Sequence, residues 1–136
     1  GDVPVFSSLR WESGVWTFIN GVTSTWLESY GLGLNDLTVL TDTDIDGLFN
    51  WEEEFAGTNP TNSASVLRVN EVSAVGGDRI VNWQAVAGKN YTVWFKTNLT
   101  DAAWVEQATG VPGVEPSCTH TVAVDSATGF VRIEVE

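Results

Sequence analysis

The spacing of apolar positions changes near residue 65, which divides the chain into a helical part and a strand-rich part. In the helical part, the stretch TSTWLESYGLG has Thr25 and Glu28 at the spacing of a capping box. Gly31 follows the last apolar position, as is typical of a helix that ends in a left-handed residue. This pattern predicts a short helix beginning near residue 25.

A second helical pattern follows an acidic segment. Leu48, Trp51 and Phe55 recur at helical spacing, so a helix there presents them on one side. Gly57 and Pro60 end the pattern. We therefore predict two short helices that flank the acidic segment.

After residue 65, short β-branched and aromatic runs alternate with Gly, Asn, Asp and Pro. The runs are VLRVNEV, RIVNWQAV, NYTVWFKT, THTVAV and GFVRIEV. Their spacing is typical of an antiparallel immunoglobulin- or fibronectin-like sandwich, so the fold class is mainly β with a short helix–loop–helix element. The predicted organisation is an N-terminal strand or hairpin segment (1–21), a helix–loop–helix (22–64) and a β-sandwich (65–136).

The N-terminal segment contains two apolar and aromatic runs within residues 3–20, separated by Glu12, Ser13 and Gly14. This arrangement favours a hairpin or two edge strands. The pattern leaves open whether these strands pair within the chain or with a neighbouring copy.

Charge and composition narrow the choice of partners. The formal net charge is −12, from 18 acidic and 6 basic residues, so nucleic acid and anionic membranes would be repelled. No apolar run approaches the roughly 18 residues of a membrane span. The chain has one cysteine and no methionine, so we expect no internal disulfide and interpret Gly1 as a processed or engineered end, as removal of a secretion signal would leave.

The acidic segment TDTDIDGLFNWEEEF contains a calcium-loop spacing. Within twelve residues, Asp42, Asp44 and Asp46 occupy positions 1, 3 and 5, and Glu53 occupies position 12. Gly47 stands at position 6, where the backbone must turn sharply.

The remaining ligand positions also fit. Leu48 at position 7 would offer its carbonyl oxygen, and Asn50 stands at position 9. Oxygen ligands in this number favour Ca²⁺ over Mg²⁺, and the absence of Cys and His in the loop argues against zinc and copper. The alternative is a solvated acidic loop whose glutamates favour the start of the next helix. Ile45, at position 4, is expected to anchor the loop to the core.

The stretches TWLESYGL and DTDIDGLFNWEEEFAGTNPTNSASVLRV resemble the bacterial version of the thrombospondin type 3 calcium repeat. The strand-rich part resembles the small fibronectin- or immunoglobulin-like sandwich that often follows this repeat in secreted bacterial proteins. The resemblance implies a rigid, calcium-bound extracellular connector. A second ion is left open, with Asn59 or Asn62 as ligands where the resembling sequences commonly have aspartates.

Tryptophans suggest a different function. In NYTVWFKT, strand alternation places Trp94 opposite to Tyr91, Val93 and Phe95, so Trp94 can face outward and, with Trp104, form a carbohydrate-binding face. Packing against another segment is the competing explanation.

We predict no enzyme activity, because the lone His120 has no triad partners in the pattern and Glu52 and Glu54 lie beside the metal loop. Three functions therefore stand: a calcium-rigidified extracellular structural or adhesion module, a self-assembling surface or filament subunit that pairs its N-terminal strand with another copy, and a carbohydrate-binding appendage of a secreted enzyme. The corresponding partners are calcium, adjacent domains or copies, and polysaccharide.

Overall fold

The computed structural model describes residues 9–100, 103–124 and 128–136, so residues 1–8 of the predicted N-terminal segment lie outside the described residues. The chain divides into two compact units, Gly1–Val66 and Leu67–Glu136, and each is described by itself. Strands dominate over helices, and every sheet is antiparallel. The predicted mainly β class is therefore confirmed.

The first unit begins with a two-stranded hairpin of β1 (Arg10–Glu12) and β2 (Val15–Thr17). The two turn residues, Ser13 and Gly14, have φ values of 53° and 84°, the left-handed conformation that a two-residue hairpin turn requires. Trp11 lies opposite Trp16, with ring centroids 4.9 Å apart. Over these residues the hairpin prediction is confirmed.

Three helices follow a 3₁₀ turn at Ile19–Gly21: α1 (Ser24–Ser29), α2 (Asp36–Val39) and α3 (Asn50–Ala56). The cap of α1 is Thr23 rather than the predicted Thr25, since the Thr23 hydroxyl accepts a hydrogen bond from the Trp26 amide at 3.2 Å. Helix α2 was not predicted, because its four residues are too few to show a period. It directly precedes the acidic loop.

The core of the first unit consists of Phe18, Val22, Leu27 and Val39. The partly buried side chains packed against this core are Leu9, Ile19, Trp26, Leu32 and Trp51. Trp26 and Trp51 therefore serve as packing residues of this unit.

Helix α3 buries a polar face most fully, whereas its apolar pattern predicts burial of the side that carries Leu48, Trp51 and Phe55. It begins at Asn50 rather than Leu48, and its buried residues are Asn50, Glu53 and Ala56. Phe55, on the predicted apolar side, is 52% exposed. The polar face turns inward because it supplies residues to the acidic loop, as described below.

The second unit contains two three-stranded antiparallel sheets, with strand orders β3-β4-β7 and β6-β5-β8. The strands are β3 (Val69–Val75), β4 (Asp78–Gln84), β5 (Asn90–Lys96), β6 (Val105–Pro112), β7 (Ser117–Ala123) and β8 (Phe130–Val135). Strand β6 was not predicted, because its sequence VEQATGVP lacks a regular alternation of apolar residues.

One core joins the two sheets. It combines Val81 and Trp83 of β4 with Tyr91, Val93 and Phe95 of β5. The Trp83 and Tyr91 rings meet edge to face at a centroid distance of 5.8 Å, and Trp83 is fully buried. Apolar faces that share a core are consistent with the predicted sandwich.

Within the described residues, no helix is long and apolar enough to cross a membrane.

Gly113, in the connection between β6 and β7, offers a test of this packing. Its amide donates to the Lys89 carbonyl at 2.7 Å, and a Cβ there would collide with the Val86 and Lys89 carbonyl oxygens. We expect Gly113→Ala to lower the free energy of unfolding by about 1–3 kcal/mol, as overpacking does. Denaturant melts measure this change.

Gly77→Ala is the matched control, because a Cβ there would lie 3.9 Å from the nearest atom, the Val124 carbonyl oxygen. We expect its stability to stay within about 0.5 kcal/mol of wild type. Equal stability of the two variants would contradict the observed packing at Gly113.

Candidate metal centre

The loop brings together the three aspartates that the spacing predicts. One carboxylate oxygen from each of Asp42, Asp44 and Asp46 lies within 4.8 Å of the others. These three residues are half-buried, whereas the intervening Thr43 and Ile45 are exposed. Alternate side chains of the loop therefore turn to one side, as the calcium-loop spacing requires.

Asp42 shapes the loop through hydrogen bonds to the backbone. Its Oδ1 accepts from the amides of Ile45 at 2.7 Å and Asp46 at 3.2 Å, and its Oδ2 accepts from Gly47 at 2.9 Å. Asp46 Oδ1 accepts from the Leu48 amide at 2.8 Å. These side chains hold the backbone in a tight curl, as aspartates do in turns.

Other oxygens in the loop have no hydrogen-bond donor. Both carboxylate oxygens of Asp44, Asp46 Oδ2 and Glu53 Oε2 are buried and lack a partner within the described residues. Buried polar atoms are nearly always hydrogen-bonded, and a buried anion without a partner is strongly destabilising. A cation is the species that can satisfy several such oxygens at once.

Glu53 is the most constrained of these carboxylates. It is fully buried on α3, and burial raises the pKa of its carboxyl to about 7, with the charges of Asp44 and Asp46 acting in the same direction. The Thr58 hydroxyl donates to its Oε1 at 3.3 Å. Burial, followed by Asp46 and Asp42, also raises the pKa of Asp44. Glu53 thus belongs electrostatically to the aspartate cluster.

Asn50 connects the loop to both flanking helices. It is fully buried, and its Nδ2 donates to the Thr38 carbonyl on α2 and to the Thr43 hydroxyl, each at 2.8 Å. The backbone N–H of Asn50 donates to the Thr41 carbonyl at 2.8 Å. Among residues 9–100, 103–124 and 128–136, no donor contacts its side-chain oxygen, the atom that a metal would use. Leu48, the predicted carbonyl ligand, is half-buried at the seventh loop position.

The prediction that Ile45 anchors the loop to the core is wrong. Its side chain is 86% exposed, because alternation places it on the outer side of the loop. Its φ of 63° is left-handed, a conformation that is strained for a β-branched residue.

The possible second-ion ligands take part in turns instead. Asn59 Oδ1 accepts from the Thr61 amide at 3.0 Å and from the Thr61 hydroxyl at 2.8 Å. Asn62 Oδ1 accepts from the Ala64 amide at 3.1 Å. These contacts are those of asparagines that start turns.

Sequence reasoning missed two residues that support the loop. Thr58 donates to Glu53, and Thr38 supplies the carbonyl that orients Asn50. Thr58 belongs to the GTNP stretch that follows α3, so the sequence motif could have indicated that Thr58 supports the loop. Thr38 acts through its backbone, which no residue pattern reveals.

The two tryptophans predicted to bind carbohydrate, Trp94 and Trp104, share one cationic partner, Arg132. The Arg132 guanidinium lies 5.2 Å from the Trp94 ring centroid and 5.0 Å from that of Trp104, and Lys96 lies 5.0 Å from Trp104. Trp94 is half-buried between the buried Val93 and Phe95, consistent with its outward orientation. Sugar binding stays a prediction, and a sugar would compete with Arg132 for these ring faces.

No family model, curated protein or solved structure matches this chain. The function proposed below therefore depends on the chemistry of its own residues.

Relief of backbone strain at Ile45 is directly measurable. Because asparagine tolerates the left-handed conformation, we expect Ile45→Asn to raise the free energy of unfolding by about 1 kcal/mol. Chemical denaturation without metal measures the gain. Ile45→Val keeps the β-branch and serves as the control, and a gain of equal size in Ile45→Val would rule out strain as the cause.

The pKa of Glu53 predicts how pH affects the calcium-free protein. Its folded-state value of about 7 exceeds the ordinary 4.5, so the folded protein binds more protons between these values. The resulting stabilisation is fully present below pH 4.5 and is lost as pH rises through 7. We expect the melting temperature in excess chelator to fall from pH 5 to 7.5.

The Glu53→Gln variant removes this titration and should weaken the pH dependence. Asp44, whose pKa is raised for the same reason, contributes with the same sign. A melting temperature that rises steadily with pH in the wild-type protein would contradict the assignment.

Proposed function

We propose that residues 42–53 hold one calcium ion and that the ion rigidifies an extracellular, non-enzymatic structural or adhesion module. The ligands are the carboxylates of Asp42, Asp44, Asp46 and Glu53, the Leu48 carbonyl and the Asn50 side-chain oxygen. The observation that carries this proposal is the group of buried carboxylate oxygens on Asp44, Asp46 and Glu53 for which the described residues supply no hydrogen-bond donor.

The chemistry of these ligands supports calcium over other metals. All are oxygen atoms, and hard oxygen ligands in this number suit Ca²⁺, which accepts six to eight at flexible geometry. Mg²⁺ demands a near-ideal octahedron and keeps several of its waters. Zinc and copper prefer nitrogen and sulfur ligands, which the loop does not offer.

The contacts of Asn50 and Glu53 explain how a bound ion would stabilise the unit. Asn50 already joins α3 to the Thr38 carbonyl of α2, and Val39 of α2 lies in the core. Glu53 is fixed on α3 by burial and by Thr58. An ion that also holds the aspartates would therefore fix the loop relative to α2 and α3, and its binding energy would add to the folding energy.

This assignment makes the first unit an EF-hand-like helix–loop–helix of the thrombospondin type 3 kind, followed by an immunoglobulin- or fibronectin-like sandwich. Extracellular modules of this type bind calcium at about 10⁻⁴–10⁻³ M, where the ion is continuously available. The net charge of −12 is compatible with a cation partner. The module then acts as a stiff connector between neighbouring domains.

Asp44→Asn tests the proposal, because it removes one charge and replaces one of the two unpaired oxygens with an amide nitrogen while preserving shape. We expect wild-type stability to rise with calcium by about 2.7 kcal/mol at a concentration one hundred times the Kd. The variant should lose most of that gain, yet be more stable than wild type in chelator, because repulsion among the carboxylates is reduced. Calorimetric titration and thermal melts measure both effects.

Asp78→Asn provides the matched control, since Asp78 is exposed on β4 in the second unit. It should bind calcium as wild type does. If calcium changes neither the heat signal nor the melting temperature of the wild-type protein, the loop is a solvated acidic surface and the proposal fails.

A further inference from the structure

Strand β8 forms an open sheet edge in the part of the chain that the structure describes. Among the described residues it pairs with β5 alone, in an unbroken register from Tyr91 opposite Val135 to Lys96 opposite Phe130. The opposite edge of the same sheet, β6, is interrupted by register shifts and ends at Pro112, features that discourage pairing with another strand. Strand β8, FVRIEV, contains neither glycine nor proline.

The hydrogen-bonding direction of β8 follows from its last contact with β5. The Glu136 amide donates to the Asn90 carbonyl at 2.9 Å, so the even-numbered residues of β8 direct their backbone groups toward β5. The N–H and C=O groups of Val131, Ile133 and Val135 consequently point to the open edge. A strand placed beside β8 could pair with all of them.

The side chains of β8 are sorted by face. Val131, Ile133 and Val135 are partly buried and pack against the core shared by the two sheets. Arg132 and Glu134 lie on the other face, where they are exposed and 3.5 Å apart. The strand thus carries an apolar row on one side and one charge of each sign on the other.

We propose that β8 pairs with β8 of a second copy, antiparallel and about a two-fold axis at Ile133. This register places Ile133 opposite Ile133 of the second copy and Val131 opposite Val135 of the second copy. It also places Arg132 opposite Glu134 of the second copy, and the two-fold axis repeats that pair. The two three-stranded sheets become one continuous sheet.

Charge complementarity selects both this partner and this register. In the proposed ladder, Arg132 and Glu134 occupy non-hydrogen-bonded pairs, where opposite side chains approach most closely. An axis at Arg132 or at Glu134 would oppose like charges, and a shift of one residue would place apolar side chains on the charged face. A second copy supplies the complementary strand without requiring any other protein.

The proposed dimer does not depend on the calcium loop, which lies in the other unit. Failure of one proposal therefore leaves the other intact. Because each copy carries a formal net charge of −12, association should be measured in calcium and about 150 mM salt to limit general repulsion.

Sedimentation velocity of the full chain from about 10 µM to 1 mM tests the dimer, a range suited to a small interface. We expect a concentration-dependent shift from monomer to dimer. Glu134→Arg places like charges opposite each other and should weaken association about tenfold or more. The double variant Arg132→Glu/Glu134→Arg restores opposite charges and should restore association.

Glu106→Arg is the matched control. Glu106 is on β6, opposite Trp94 of β5, and lies away from the proposed two-fold axis. It should leave association unchanged, and circular dichroism should show that every variant is folded. A wild-type protein that stays monomeric throughout the range overturns the proposal. Association that survives Glu134→Arg, or that the double variant does not restore, overturns it as well.

Amide hydrogen exchange provides an independent readout of the register. The amides of Val131, Ile133 and Val135 should exchange rapidly at low concentration and become protected as the dimer forms. The amides of Arg132 and Glu134, directed toward β5, should be protected at both concentrations. Protection gained at another sheet edge, such as β3, would overturn the assignment to β8.

Discussion

The burial of Glu53 is the constraint on which the first unit depends. A fully buried carboxylate is costly, and here three aspartates lie close enough to raise its pKa further. The fold keeps this residue inside by turning the polar side of α3 inward and by placing Thr58 against it. Asn50, buried on the same side, extends the arrangement to α2. The position of α3 is therefore determined by the hydrogen bonds and burial of its polar side chains as much as by the packing of its apolar residues.

The same constraint explains where sequence reasoning about α3 succeeded and failed. The spacing of Asp42, Asp44 and Asp46 predicted their convergence, because alternate positions of a curling loop share a side. The end of the helix at Gly57 was also correct. The buried side was not, since a hydrophobic periodicity assumes that the interior is apolar. Where the buried side of a helix is polar, apolar residues such as Phe55 are left partly exposed.

In the strand-rich part, prediction was limited by what alternation can reveal. Five strands appear in the sequence because β-branched and aromatic residues dominate them, whereas β6 combines polar residues with Gly110 and Pro112 and shows no period. The order of the strands in each sheet could not be predicted from the sequence, because it depends on pairing between distant segments such as β4 and β7. That order decides which edges are open, so the exposed edge of β8 became visible only with the sheets assembled.

Residues of the same charge in the acidic loop serve different physical purposes. Asp42 accepts hydrogen bonds from three backbone amides, so its carboxylate mainly stabilises the shape of the loop. Both oxygens of Asp44, by contrast, are buried without a hydrogen-bond partner in the part of the chain that the structure describes. In the proposed calcium site, loop shape and cation affinity would thus be carried by different carboxylates. Exposure to water would satisfy the oxygens of Asp44, so their burial is the feature that distinguishes the proposed calcium site from a solvated acidic surface.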